Sequence, residues 1–390
     1  MKTIHEPSFF TLAMMISFAS VNAVLFTPAL PDIAQFFVIT HHKAQELMTL
    51  FLIGYASGQL IYGPLANRFG RKPALYAGII LQIISSLLCV LSGIIHEYFV
   101  LILSRFLLAL GSGVGLKMAF TMVNEFYTPK IASQKIAYLM LAFAVTPGLG
   151  IALGGILNTH FGWESCFYAG AIYGFILLLL VSRLEETHTN LHYNALKITS
   201  LVTAYSTQFR NNKLITGGLL MGASTAFIYI FAAAAPFIAI NLLGMSSTDY
   251  GIANILPPIG LIIGSFVSAK LAKEHSLSFI IKIGIWFAFV GILLMIVIKA
   301  ALSSAILSLF VPMILIYFGL SLVLPNASAI AMSHAEDKAH GSAVMNFINM
   351  GLATLAVLSL GFFPMSTILL PIFFFILTGA MAGMVFFISR

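Results

Sequence analysis

Apolar blocks of about twenty residues alternate with short polar joints along almost the whole chain. Blocks of that length and uniformity are membrane spans rather than core helices. They predict helices near 9–30, 44–64, 74–95, 98–123, 135–157 and 164–182. A polar segment containing His and Thr follows, and further helices are expected near 213–238, 249–269, 278–299, 303–325, 341–363 and 367–388. The blocks are continuous and do not alternate residue by residue, which excludes a transmembrane barrel. The expected fold is an all-α integral membrane protein of twelve transmembrane helices arranged as two six-helix pseudo-repeats. Residues 1–182 form the first bundle, 183–212 a cytoplasmic linker and 213–390 the second bundle. A faint echo joins the halves: Gly63-Pro64-Leu65, leading to Arg68, Arg71 and Lys72, returns as Gly264-Ser265-Phe266, leading to Lys270 and Lys273.

Composition supports the same class. Hydrophobic residues make up 60% of the chain, charged residues 8%, and the mean hydropathy is +1.03. The formal net charge of +7 would suggest nucleic acid in a soluble protein. Here the cations sit in the joints on one side, with only Lys43 and Lys299 in joints on the other, so they mark cytoplasmic loops and no nucleic-acid partner is expected. Both termini are then cytoplasmic, and the first helix is expected to be retained as its own targeting signal. Cys89 and Cys166 fall in predicted spans without metal-ligand spacing and read as small apolar packing residues. No metal and no cofactor is expected.

The sharpest polar interruption of the first half is Gly63-Pro64-Leu65-Ala66-Asn67-Arg68-Phe69-Gly70-Arg71-Lys72. It resembles the loop between helices two and three of the major facilitator superfamily, Gly-x-x-x-Asp-Arg-x-Gly-Arg-Arg/Lys, with Asn67 where the family has Asp. Arg105 to Gly113 resembles the Arg-x-x-x-x-x-Gly element of its drug:proton antiporter branch. Ala144 to Gly155 resembles that branch's antiporter element, with Pro147-Gly148 in reversed order before Gly154-Gly155. Pro28-Ala29-Leu30-Pro31-Asp32-Ile33, Ala235-Pro236-Phe237 and Leu324-Pro325-Asn326-Ala327 are similar to the bicyclomycin-resistance (Bcr/CflA) type. The resemblance implies a gating role for Gly63, Asn67, Arg68, Gly70, Arg71, Lys72, Pro147, Gly148, Gly154 and Gly155. Physically, the glycines let a neighbouring backbone approach, and Pro147 permits a bend.

No acidic residue falls in mid-span, so no proton carrier is visible in the pattern. Arg105 lies about 10 Å below the outer end of its helix, at ~1.5 Å per residue, and needs a partner or a wet cavity. Asp32 is the candidate partner, and the pair is the candidate for proton coupling. Lys117 is a second intramembrane cation; it either meets an anionic substrate or reaches Glu125 at the cytoplasmic interface. The resemblance places helices one, four, seven and ten around a cavity, so Asn22, Phe26, Arg105, Lys117, Tyr229, Tyr317 and Asn326 are candidate substrate contacts. Loss of charge at Asn67 is expected to weaken an inner gate that faces the start of the eleventh helix near Gly341-Ser342.

No nucleophile–base cluster, P-loop or filter-like segment appears, which disfavours an enzyme, an ATPase and a channel. The expected function is secondary transport by alternating access in a bacterial inner membrane: proton-coupled efflux of small amphiphilic molecules by a monomer embedded in the lipid bilayer. A mover of an anionic metabolite or carboxylate siderophore is the alternative.

Overall fold

The computed structural model describes residues 6–187, 198–302, 304, 306–333 and 338–388. The first half contains α1 (Phe9–Val24), a short 3-10 turn Thr27–Ala29, α2 (Leu30–Phe36), α3 (His41–Phe69) and α4 (Arg71–Ile94). It continues with α5 (Tyr98–Ser112), α6 (Val114–Phe126), α7 (Pro129–Phe161) and α8 (Glu164–Ser182). A helix inside the expected linker, α9 (Ile198–Phe209), precedes α10 (Asn212–Pro236), α11 (Ser247–Ala253), α12 (Leu256–Leu271) and α13 (Leu277–Ala301). The chain closes with α14 (Val311–Ser333), α15 (Lys338–Ser359) and α16 (Leu369–Ile388). Among the described residues, ten helical stretches are long and apolar enough to cross a membrane, judged by length and composition.

The breaks and joins have local causes. α1 stops where Pro28 and Pro31 remove donors from the chain that would continue it. α11 and α12 are parts of one expected span, separated just ahead of Pro257 and Pro258. Pro147, by contrast, lies within an unbroken α7. The joint at Gly63–Lys72 is mostly helical: α3 runs through Phe69, and α4 starts at Arg71. Gly70 alone turns the chain, at φ +106°, a region that disfavours side chains. Thr40, Asn211, Ser246 and Ser276 accept backbone N–H bonds as N-caps of α3, α10, α11 and α13.

α4 packs on α5 and α8, α3 on α5, α1 on α7, and α14 against both α12 and α13. The two halves meet where α3 lies on α15 and where α7 lies on α11 and α12. The larger apolar core draws on both halves, with Phe26, Phe51, Phe227, Phe231, Phe310 and Phe374 at its centre. A smaller core of Leu12, Met15, Leu75, Val114 and Met118 lies toward the Gly70 end of the first half. The outer faces are apolar as well: Phe99, Phe161, Trp286 and Phe375 are exposed by more than half. A surface of that kind suits lipid and not water.

Candidate functional site

The end of α1 builds the most unusual site in the molecule. Because α1 stops at Val24, its last carbonyls lack helical partners. One of them, Asn22 O, accepts a hydrogen bond of 2.9 Å from Arg105 Nη1. Helix C-termini favour cations, so the site suits an arginine. The guanidinium lies over the rings of Phe26 at 3.9 Å, Phe51 at 4.5 Å and Phe167 at 6.0 Å, cation–π contacts worth about 0.5–2 kcal/mol each. Arg105 is 1% exposed, and its Nε and Nη2 have no hydrogen-bond partner. Beside it, Gln82 Nε2 donates to Asn22 Oδ1 at 2.8 Å, Ser86 Oγ at 2.9 Å and Gly170 O at 3.1 Å. Asn22 Nδ2 in turn donates to Phe18 O. A cavity of about 10 Å³, lined in part by Asn22, Phe26, Ser86, Arg105 and Phe167, separates these groups. The structure thus brings Asn22, Phe26 and Arg105 together, inside the first half and not between the halves.

Asp32 is not part of this cluster, so the Asp32–Arg105 pair is not formed in this conformation. The reason is the helical stretch α2, which carries Asp32 to the far side of the Pro28–Pro31 break. There its carboxylate accepts a 2.5 Å bond from Asn158 Nδ2 of α7, which also donates to Ser247 Oγ at 3.2 Å. Ser247 belongs to α11 and donates to Pro28 O at 3.4 Å. Thr159 and Thr248 add a hydroxyl pair at 2.9 Å across the same join.

This join is the end of a glycine seam along α7. A Cβ on Gly154 would stand 1.8 Å from Leu25 O, and one on Gly155 would stand 2.3 Å from Ser247 O. A Cβ on Gly148 would stand 2.9 Å from Pro258 Cγ and 3.0 Å from Asn254 O, and Gly251 presses from the other side on Ile151 O. Only bare backbone allows so close an approach. α7 therefore touches the α1 end on one flank and α11–α12 of the second half on the other.

At the opposite end, Arg71 is fully occupied. Its Nη2 pairs with Glu125 Oε1 at 2.6 Å, its Nη1 donates to Asn67 Oδ1 at 2.8 Å, and its Nε donates to Glu125 as well. Glu186 accepts from the N–H groups of Arg71 and Lys72, both at 2.9 Å, and so caps α4 with the negative charge its N-terminus favours. A Cβ on Gly70 would stand 2.7 Å from Glu186 Oε2. Thr187 donates to Glu125 at 2.6 Å and Lys72 Nζ donates to Ser182 O at 3.2 Å. Arg68 lies over the Phe69 ring at 5.3 Å. Asn67 thus faces Arg71, while Gly341 and Ser342, the helix start it was expected to face, lie at the start of α15.

Lys117 reaches neither Glu125, which Arg71 holds, nor Arg105. Its Nζ donates to Gln59 O at 2.9 Å, and a Cβ on Gly63 would stand 2.6 Å from that nitrogen. Gly63 is where the amine tip fits. Asn326 Nδ2 donates to Ser268 Oγ at 2.9 Å and to Leu322 O at 2.7 Å, which ties α14 to α12 inside the second half. Tyr229 and Tyr317 pack into the core shared by both halves, as does Tyr55 of α3. Gln82, Asn158, Ser247 and Glu186 have no place among the residues expected from the sequence, and Glu125, expected to meet Lys117, instead pairs with Arg71. Their common signal is a polar side chain at a span end or in mid-span. Among the described residues, no cluster of three His, Cys, Asp or Glu side chains is placed to hold a metal ion.

A multi-pass helical protein whose halves meet along a glycine seam, with polar clusters at both ends of its helices, has the build of a membrane transporter. Residues 10–353 match the Major Facilitator Superfamily model, and the chain belongs to that family. It is 26% identical to multidrug resistance protein D of Escherichia coli (strain K12) over 89% of this chain and 87% of that one. It is 21% identical to a bicyclomycin resistance protein homolog of Haemophilus influenzae over 72% and 70%. Its fold matches the partially occluded inward open conformation of the xylose transporter XylE from E. coli with a TM-score of 0.73, at 13% identity and 96% coverage of each chain. The two curated relatives are named for multidrug and bicyclomycin resistance, and the protein is a transporter, not an enzyme.

Proposed function

We propose that the protein is a proton-coupled exporter of small amphiphilic organic molecules that works by alternating access in the bacterial inner membrane. α3 and α7, 29 and 33 residues long, add two crossings to the ten apolar ones. The chain then crosses twelve times as bundles 1–182 and 213–390 joined by 183–212. The face bearing Arg68, Arg71 and Lys72 is cytoplasmic, as are both termini. A single copy suffices, since seam and polar clusters come from one chain.

The observation that carries this reading is the seam at Gly148 and Gly155, met from the other side by Gly251, where α7 meets α11 and α12 through bare backbone. A seam of that kind separates and re-forms as one bundle rocks against the other. Protons are the proposed coupling ion and Asp32 the proposed carrier, because its carboxylate is bonded through Asn158 to Ser247 across the join. Drug-like cargo is favoured over an anionic metabolite because Lys117 already has a protein acceptor and Arg105 is shut inside the first half.

Replacing Asn158 and Ser247 by cysteines places two thiols across the join. Oxidation is expected to stop transport and a reductant to restore it. Unchanged transport by a fully cross-linked sample would sink the alternating-access reading of this seam.

A further inference from the structure

The Arg105 site carries an inference that stands apart from the identity of the cargo. We propose that Arg105 and Ser86 form a buried binding site for one small monovalent inorganic anion of the halide class, held as a resident counter-ion and not transported.

Charge comes first. A guanidinium 1% exposed stays protonated, and a buried ion without an opposite charge is costly. Its partners here are one carbonyl and three aromatic faces, none with net charge. By contrast, Arg71 takes a carboxylate at 2.6 Å.

The polarity of the cavity points the same way. Arg105 Nε and Nη2 are donors without acceptors. Ser86 Oγ accepts from Gln82, which leaves its own O–H to donate. The unpaired acceptor nearby, Gln82 Oε1, is turned to Gly174, which does not line the cavity. A chamber whose free groups are donors takes an acceptor, and a cation beside it selects a negative one.

Size sets the class. A cavity of about 10 Å³ holds roughly one water-sized species. A halide is slightly larger and would press against Leu25 and Leu108, which line the cavity, whereas the carboxylate of a metabolite is far too large for it. Gly170 keeps the chamber open: a Cβ there would stand 3.0 Å from Asn22 Oδ1 and 3.5 Å from Ser86 Oγ.

The test uses the purified full-length chain, dialysed into sodium gluconate and titrated with sodium chloride or bromide at constant ionic strength while thermal unfolding is followed. A ligand of the native state raises Tm by mass action. A saturable rise on the order of several degrees is expected with both halides at about a hundredfold their Kd. Arg105→Met is expected to abolish the rise. Ser86→Val fills the chamber while leaving Arg105 in place, and it gives the same answer if Arg105→Met fails to fold. Equal Tm in gluconate and chloride for the native protein, or a rise that persists in Ser86→Val, would overturn the proposal. Dye transport is read separately, so failure here leaves the export reading intact, and the reverse also holds.

Discussion

Two buried arginines, Arg71 and Arg105, are 7% and 1% exposed, and they are held in opposite ways. Arg71 sits in a lattice of Glu125, Asn67 and the α4 cap made by Glu186. Arg105 has a carbonyl, three aromatic faces and two idle donors. The first arrangement fixes helix ends that must hold one geometry. The second leaves a charge whose energy depends on what else enters its chamber, and such a group suits a part of the molecule that changes state.

Substitution by methionine should separate the two most sharply. Arg105→Met is expected to lower transport at least tenfold, about 1.4 kcal/mol of barrier, because the guanidinium links the broken end of α1 to α5. The same change should leave stability in halide-free buffer unchanged or higher, since it removes an unneutralised buried charge. Thermal unfolding and vesicle transport on one preparation check both arms. Large destabilisation with normal transport would reverse the roles assigned to the two arginines.

Arg71→Met is expected to destabilise by about 1–2 kcal/mol, the cost of stranding a buried carboxylate reduced because Glu125 is 27% exposed. Adding Glu125→Gln should recover part of the loss, which a double-mutant cycle measures. Asn67→Asp comes next. A charged acceptor for Arg71 Nη1 should raise stability by a few tenths to about 1 kcal/mol, and it should reduce labelling of cysteines introduced on the same face. No change in either would remove Asn67 from the gate.

The smallest effect lies at a third charged contact, fully in water. Glu6 accepts from the Tyr127 hydroxyl at 2.5 Å and from Lys135 at 3.0 Å. The Tyr127 bond first, and Lys135 second, hold its carboxyl below the ordinary value of 4.5. A carboxyl lowered in the folded state stabilises above 4.5, and the contribution fades as pH falls through the lowered value. The Tm difference between the native protein and Glu6→Gln should therefore be constant at neutral pH and vanish on the acid side of 4.5.

Much of this was legible in the sequence. Span positions follow from block length, and the family follows from the residues at Gly63–Lys72 and Ala144–Gly155. Asn22, Phe26 and Arg105 were assigned to neighbouring helices and do meet. What the linear pattern could not give was direction. The family resemblance, which sets helices one and four around one cavity, put Asp32 near Arg105, but the proline-broken α1–α2 join turns it toward Asn158. Lys117 was assigned to an anionic substrate or to Glu125 because its acceptor, Gln59 O, is a backbone atom that no residue type reveals. The linker read as polar, yet α9 packs Tyr205 against Leu60 O and His340, contacts that join distant parts of the chain. Gln82 drew no attention because one mid-span amide is ordinary until three neighbours converge on it.

The export reading is tested most directly by purified protein in liposomes, with a cationic dye and a polycarboxylate offered under an imposed pH gradient. The account expects the dye to move with the gradient, to stop when a protonophore collapses it, and to lose that dependence in Asp32→Asn. Movement of the polycarboxylate with no gradient-driven movement of the dye would contradict it.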